Sequence, residues 1–370
     1  MTKTYRVGII GVCHVHVHNV ALLFKSHPRV ELVAVADTPP RVPELRHVPY
    51  SRNWNLKYLK KEVGIPVSYD DYRELLEKEN LDIAICNSEN FRHPHVVAAC
   101  AENGVHVCVE KPMAASLSDA RTMVRVAEAA GIQVLIHWGL GFSPVWLKAK
   151  SLVEAGTIGQ VLQVRMHAGH AGPLEPGVRH PGPNIESVPM TGPEKAATWW
   201  YQKEAGGGAM IDFCSYGALL ARWLLEEQPA SVLGTRVNLN SSWGDADDNG
   251  AILAHYKSAL GVFEGTWTTR DLGKPWGPVL VGSKGTLLVE ESKTSRVRFR
   301  PGGGEEQVFE PDPLPEERAS VAEEFIRSLE TDTPLHPTLD MHVNLDVTAV
   351  LDAGLRSAES GRTETVQKRA

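Results

Sequence analysis

No run of about 18 apolar residues occurs anywhere in this chain, so no segment is expected to cross a membrane. There is no Lys/Arg-rich run either. The 38 basic residues are scattered among 45 acidic ones for a net charge of −7, which argues against nucleic acid as the main partner. Cysteine is scarce: Cys13, Cys86, Cys100, Cys108 and Cys214 are odd in number, form no C-x-x-C pair and have mostly apolar neighbours. That pattern excludes a structural zinc motif and suits reduced thiols. The first residues, Met1 to Arg6, lack the apolar core and small-residue cleavage site of a secretory signal. These absences together lead to the expectation of a cytoplasmic protein with a small-molecule partner. With 370 residues, 42% of them hydrophobic, the chain is long enough for two domains with ordinary cores.

What is present is alternation. Tyr5 to Gly11, Val30 to Asp37, Leu81 to Cys86, Val105 to Glu110 and Gln133 to His137 read as strands. Val17 to Ser26, Asp70 to Glu79 (capped by Asp70), Pro94 to Asn103 and Ser118 to Ala130 read as the helices between them. Strand–helix alternation with short links predicts an α/β domain over residues 1–137, a Rossmann-type doubly wound parallel sheet. Residues 138–370 read as an α+β domain with a large, mostly antiparallel sheet. Its strands are Val161 to His167, Ser231 to Leu239, Gly250 to Lys257, Leu260 to Thr268, Val279 to Val281, Thr286 to Glu290 and Val297 to Phe299. Helices are expected at Pro144 to Ala155, from the glycine run to Leu225, at Glu316 to Leu329 and at Asp340 to Ser360, with a frayed tail after Gly361.

The first strand ends in Gly11, where a dinucleotide-binding turn belongs, but the following residues are Val12-Cys13-His14-Val15-His16. The second and third glycines of G-x-G-x-x-G are missing. Asp37 ends the second strand 26 residues on, where a carboxylate takes adenosine ribose hydroxyls. Thr38, not arginine, follows it, which favours NAD over NADP. His14, His16 and His18 straddle a strand–turn–helix junction that scatters alternate rings, so no metal site is assigned and one imidazole is expected near a phosphate. Val105 to Val109 is a buried-strand pattern closed by Glu110-Lys111-Pro112, a charged pair at the strand end where open α/β sheets bind ligands. In the second half, Ala168 to Glu204 is long and rich in Gly, Pro and His, and reads as a wall over a substrate. Trp199 and Trp200 are placed to stack on a sugar ring or to plug a small core. After Gly206-Gly207-Gly208, Asp212 and Tyr216 stand four apart on one helical face.

These residues resemble the glucose-fructose oxidoreductase / inositol dehydrogenase / MocA-like (Gfo/Idh/MocA) oxidoreductases over nearly the whole chain. Glu110-Lys111-Pro112 matches the family's E-K-P motif, and Ser88-Glu89-Asn90-Phe91-Arg92-His93 its T-P-N-x-x-H stretch, with Glu89 in place of proline. Phe142-Ser143-Pro144 is similar to R-F-x-P, with Gly141 where arginine is common, and Asp248-Asn249 to the D-N motif. Gly206 to Tyr216 resembles G-G-G-x-x-x-D-x-x-x-H with tyrosine for histidine, as in the glucose-fructose oxidoreductase and dihydrodiol dehydrogenase branches.

The resemblance implies an NAD-dependent oxidoreductase acting on a secondary alcohol of a sugar, polyol or glycoside. It implies a cofactor site of Gly11, Cys13, His14, Asp37, Ser88, Asn90, His93, Glu110 and Lys111. It places catalysis on Lys111, Tyr216 and Asp212, and implies a homodimer or homotetramer built on the second domain's sheet; the aromatic loop itself adds Trp199 and Trp200 as candidates at the substrate. On chemical grounds, burial beside an oxidised nicotinamide lowers the lysine's pKa, and a Lys111 ammonium favours the Tyr216 phenolate. The two would then relay the proton while Asp212 fixes a neighbouring hydroxyl. Two rivals remain. One is a retained-NAD glycosidase or lyase drawing on His167, His170 and His180. The other is an NAD-binding regulatory protein without turnover. Residues 38–68 are longer than the family's norm and carry Arg46, His47, Arg52 and Trp54 without an assigned role.

Overall fold

The computed structural model describes residues 3–178, 180–270, 277–291 and 295–369. Its first half is a six-stranded sheet in the order β3-β2-β1-β4-β5-β6, every pair parallel. The strands are β1 Tyr5–Ile10, β2 Val30–Ala36, β3 Val67–Tyr69, β4 Ile83–Cys86, β5 His106–Glu110 and β6 Val134–His137. The strand order reverses between β1 and β4, and that crevice is where such sheets take ligands. The flanking helices are α1 Val17–Lys25, α2 Arg52–Tyr58, α3 Tyr72–Lys78, α4 His93–Glu102 and α5 Leu117–Ala130. β4 is buried at all four positions, as a parallel strand covered on both faces must be. Asp71, not Asp70, caps α3: its carboxylate accepts from the Arg73 N–H, and the helix begins two residues later than its sequence pattern.

Residues 38–68 are not a loose insertion. They fold into α2 with a π-helical turn at Leu59–Val63, and lay Tyr50, Trp54 and Tyr58 edge-on around His18 of α1. They then supply β3, a strand too short and exposed to leave a periodic signal.

The second half adds α6 Pro144–Glu154, β7 Val161–Gly169, α7 Gly192–Ala196, α8 Ala209–Leu225, β8 Ser231–Val237, β9 Asn249–His255 and β10 Leu260–Thr266. It continues through β11 Val279–Gly282, β12 Gly285–Glu290, β13 Arg296–Pro301, β14 Gln307–Phe309, α9 Val321–Thr331, α10 Met341–Ser360 and β15 Glu364–Thr365. Nine strands form one sheet in the order β14-β13-β12-β11-β7-β10-β9-β8-β15. It is antiparallel except for β7 with β10. The tail after Gly361 is not frayed: Glu364 and Thr365 pair with Val232 and Ser231, and Val366 is buried. α10 closes the molecule, bonding Trp138 to Asn344 at 2.6 Å and meeting β6 where Ile136 donates to Leu339.

Gly11 is the pivot of the first turn. Its φ is +81°, and a Cβ there would lie 2.6 Å from the Cα and N of Ser88. Gly11→Ala therefore combines left-handed strain with a backbone clash, each of order 1–3 kcal/mol. A clear fall in the thermal midpoint is expected, with loss of any nucleotide-induced shift. An unchanged midpoint would show that the turn relaxes freely.

Candidate functional site

The second glycine run shapes the site before any side chain does. A Cβ on Gly207 would lie 2.6 Å from the Trp199 carbonyl oxygen, so only glycine lets Trp199-Trp200 pass beneath the start of α8. α8 then brings Asp212 and Tyr216 to the carboxyl end of β5. There the Lys111 Nζ lies 2.5 Å from Asp212 Oδ1 and 4.9 Å from the centre of the Tyr216 ring. Trp267 Nε1 donates to Asp212 Oδ2 at 3.0 Å. Lys111 and Asp212 are both buried, and the Lys111–Pro112 peptide is cis. Lys111, Asp212 and Tyr216 line one cavity of about 180 Å³, shared with His14, Val15, His16, Gly169, His170, Pro173, His180, Trp200 and Phe213. The sequence-derived trio of Lys111, Asp212 and Tyr216 thus meets across the two halves.

The protein's own residues set the charge states. Burial opposes the ammonium of Lys111, but Asp212, Tyr216 and Glu110 outweigh it and the lysine's pKa is raised, whereas the expected lowering rests on an oxidised nicotinamide beside it. Burial likewise pushes the Tyr216 phenol up, further than Lys111 pulls it down, so no phenolate is favoured. Asp212 stays ionised against its burial because Lys111, His170 and Trp267 hold it. Its oxygens hold the Lys111 ammonium and the Trp267 N–H, so it positions Lys111. Behind Lys111, Glu110 is fully buried. Burial would raise its carboxyl, yet His14 and His16, with hydrogen bonds from His137 and His16, keep it well below the usual carboxylate range. His16 Nδ1 is 3.1 Å from Glu110 Oε1, and His137 Nδ1 is 3.4 Å from Oε2.

Along the crevice the other expected cofactor residues divide. The backbone N–H groups of Cys13, His14 and Val15 lead into α1 and find no acceptor among the described residues. Three successive free N–H groups at a helix start fit a pyrophosphate. Asp37 Oδ1 accepts from the Val12 N–H and from Arg52, while Oδ2 has no partner among the described residues and fits a ribose hydroxyl. NAD therefore fits this donor set. Cys13, in contrast, offers its backbone alone: its thiol is buried and points to the Asn87 carbonyl. Ser88 packs under Gly11, and Asn90 Nδ2 ties to the Gly206 carbonyl at 2.8 Å while its Oδ1 has no partner among the described residues. His93 is fully buried, its ring nitrogens facing the Met113 and Ser88 carbonyls at 3.0 and 3.2 Å. It braces the loop.

Trp199 does not line this cavity: its Nε1 donates to the Cys13 carbonyl at 3.1 Å and its ring covers the turn, whereas Trp200 reaches the cavity wall. Of the loop histidines, His170 and His180 line the cavity and His167 pairs outside with Glu264. Asp248 accepts the N–H groups of Leu239, Asn240 and Ser241 and is structural. His14, His16 and Glu110 place potential ligand atoms within 4.8 Å of one another. His14 Nδ1 accepts the His16 N–H at 3.2 Å, and His16 Nδ1 faces Glu110.

The residue that sequence reasoning left without a role is Arg52. It is buried between Asp37 and Glu89, with its own N–H on Glu44 at 2.8 Å. Glu89 also takes Arg92 at 3.1 Å. The signal was there: Glu89 puts a charge where the family has proline, and a buried carboxylate needs a cation.

The family model described as "Oxidoreductase family, NAD-binding Rossmann fold" matches residues 5–137, and the GFO/IDH/MocA C-terminal domain matches residues 146–288. The chain belongs to this family. Among curated relatives, myo-inositol 2-dehydrogenase of Thermotoga maritima is 24% identical over 300 residues, 79% of this chain and 77% of that protein. The scyllo-inositol 2-dehydrogenase (NAD(+)) of Bacillus subtilis is 22% identical over 94% of this chain and 93% of its own length. In fold, the chain is similar to the crystal structure of aldose-aldose oxidoreductase from Caulobacter crescentus, with a TM-score of 0.76 at 21% identity. That match covers 98% of this chain and 100% of the other. The family's Rossmann half is NAD-binding, and no helix among the described residues is long and apolar enough to cross a membrane.

Proposed function

We propose that the protein oxidises a secondary alcohol of a sugar or polyol with NAD. The observation that carries this reading is the Lys111–Asp212 pair beside Tyr216, inside a cavity of about 180 Å³ at the end of β5. That volume is below the roughly 300–1,000 Å³ of sites for drug-sized ligands, and suits one small ring. Bound nicotinamide supplies a hydride acceptor. The chain's own residues do the rest. The Lys111 ammonium holds the hydroxyl oxygen and stabilises the negative charge that builds on it. Asp212 keeps that ammonium charged and aimed, and the neutral Tyr216 phenol donates to a neighbouring oxygen. Trp200 and Phe213 shape the apolar walls. Lys111, Glu110, Asn90 and the 13–15 backbone, with Asp37 at the ribose, make up the cofactor site. Asp37 disfavours the extra phosphate of NADP. The inositol dehydrogenase relatives support a polyol. Leu162, Leu233, Leu253 and Leu260, 41–44% exposed on the large sheet, support a subunit interface there.

The test is a panel of inositols, aldoses and glycosides with NAD, read at the NADH absorbance. Net NADH with at least one polyol, and a thermal shift with NAD larger than with NADP, is the expected result. Release of aglycone without NADH would replace this reading with transient oxidation and elimination. Binding of NAD with neither would mean a protein that does not turn over.

A further inference from the structure

NAD and NADP differ at one place, the 2′ oxygen of the adenosine ribose. The fold meets it with a carboxylate that binds the free hydroxyl, or with an arginine that takes the phosphate. This chain brings both to one corner and ties them together. Asp37 follows β2, and its Oδ1 accepts from Arg52 Nη1. Arg52 is not a loose surface cation. It is the first residue of α2, and its backbone N–H is held by Glu44 at 2.8 Å. Its side chain is as buried as that of Asp37, 10% against 11% exposed. Nη2 lies 2.5 Å from Glu89 Oε1. Glu89 has a second cation in Arg92, at 3.1 Å, whereas Asp37 has Arg52 alone among the described residues. Two polar atoms here are left over: Arg52 Nε and Thr38 Oγ1 are buried and find no hydrogen-bond partner among the described residues. Arg52 also lines, with Arg41, Glu44, Glu89 and Phe91, a chamber of about 50 Å³, several times what one water needs. A buried guanidinium with an unused N–H beside open space is a ready partner for a phosphate.

We propose that Arg52 sets the choice of cofactor together with Asp37: it is a binder of the 2′-phosphate that the Asp37 carboxylate keeps occupied. The inference rests on the reading that Asp37 takes the ribose. While the pair holds, Asp37 Oδ2 is offered to a ribose hydroxyl and its charge repels a phosphate, so the enzyme uses NAD. Without that carboxylate, Nη1 keeps only the Thr38 carbonyl at 3.3 Å and Nε is still unpaired, so the guanidinium turns to the phosphate of NADP. Selectivity thus comes from the 38–68 segment as much as from the end of β2.

Calorimetric titration of the full-length protein with NAD and with NADP tests this without any substrate. Wild type should bind NAD the more tightly. Asp37→Ser should weaken NAD and tighten NADP, moving the ratio of the two dissociation constants by on the order of 10²-fold. In Asp37→Ser/Arg52→Met the gain in NADP affinity should vanish, and in Asp37→Ser/Arg52→Lys part of it should remain. Where Asp37→Ser does not fold, Asp37→Asn drops the charge at constant shape and should move the ratio in the same direction. A gain that survives without Arg52, or no gain in either Asp37 variant, overturns the proposal. An NAD affinity left unchanged by Asp37→Ser instead takes the ribose away from Asp37, and overturns the reading beneath. Turnover plays no part in the readout, so a failure to form NADH and a failure of this proposal are separate results.

Discussion

Lys111→Met should lower turnover by on the order of 10²–10⁴ and also weaken the fold. Both losses follow from one geometry. The ammonium is buried 2.5 Å from Asp212, so removing it takes away the cation proposed to hold the substrate oxygen and strands a carboxylate whose one other partner among the described residues is the Trp267 N–H. Breaking a buried pair from one side costs about 3–5 kcal/mol, because the remaining charge is left uncompensated. The double variant Lys111→Met/Asp212→Asn separates the two effects. It replaces the stranded anion with a neutral amide that still accepts from Trp267. Its denaturation midpoint should return most of the way to wild type, while NADH formation should stay at the level of the single variant. Recovery of turnover in the double variant would show that Lys111 serves the fold alone.

Arg52→Met is the second large effect, and its sign depends on pH. Arg52 faces Asp37, Glu89 and Glu44, with Arg92 the other cation on Glu89. Burial raises Asp37 to about 6 and Glu44 to about 7 even beside the guanidinium. Both values exceed those of the unfolded chain, near 4. The folded state therefore binds more protons than the unfolded one between roughly pH 4 and pH 7, and stability falls as pH rises through that window. Without Arg52 the carboxylates lose their shared cation. A loss of about 3–5 kcal/mol is expected at pH 8, shrinking toward pH 5 as protons replace the guanidinium. Denaturant unfolding of wild type and variant at the two pH values checks this. Equal midpoints at pH 8 would mean the cluster is solvated and its charges count for little.

Why was the parallel half of the molecule legible and Arg52 not? β1, β2, β4, β5 and β6 are apolar runs between turn residues, and burial on both faces imposes that composition whatever else the chain does. The E-K-P end of β5 and the glycine run before α8 were legible for a related reason: a tight backbone leaves few alternatives. Long-range side-chain partnerships leave no such trace. Arg52 meets Asp37 and Glu89 only because α2 folds back over the crevice, and nothing in the local pattern of 38–68 aims it there. Asp212 is 101 residues from Lys111, and its 2.5 Å approach, which outweighs burial at the lysine, leaves no local trace. Trp199 was legible as either a sugar platform or a core plug, and its bond to the Cys13 carbonyl in the other half is a partnership that composition does not reveal. β15 escaped notice because two residues of pairing carry no periodicity.

The hydrogen bonds of Trp199 to Cys13 and of Asn90 to Gly206 stitch the nucleotide turn to the loop that roofs the cavity. The two halves consequently cannot be exchanged as modules. A chimera carrying a relative's second domain would present a foreign roof to this turn and leave the Cys13 carbonyl and the Asn90 amide without their mates. Redirecting such an enzyme to a new sugar is better attempted by editing the 168–204 segment between those two anchors, with both ends kept as they are.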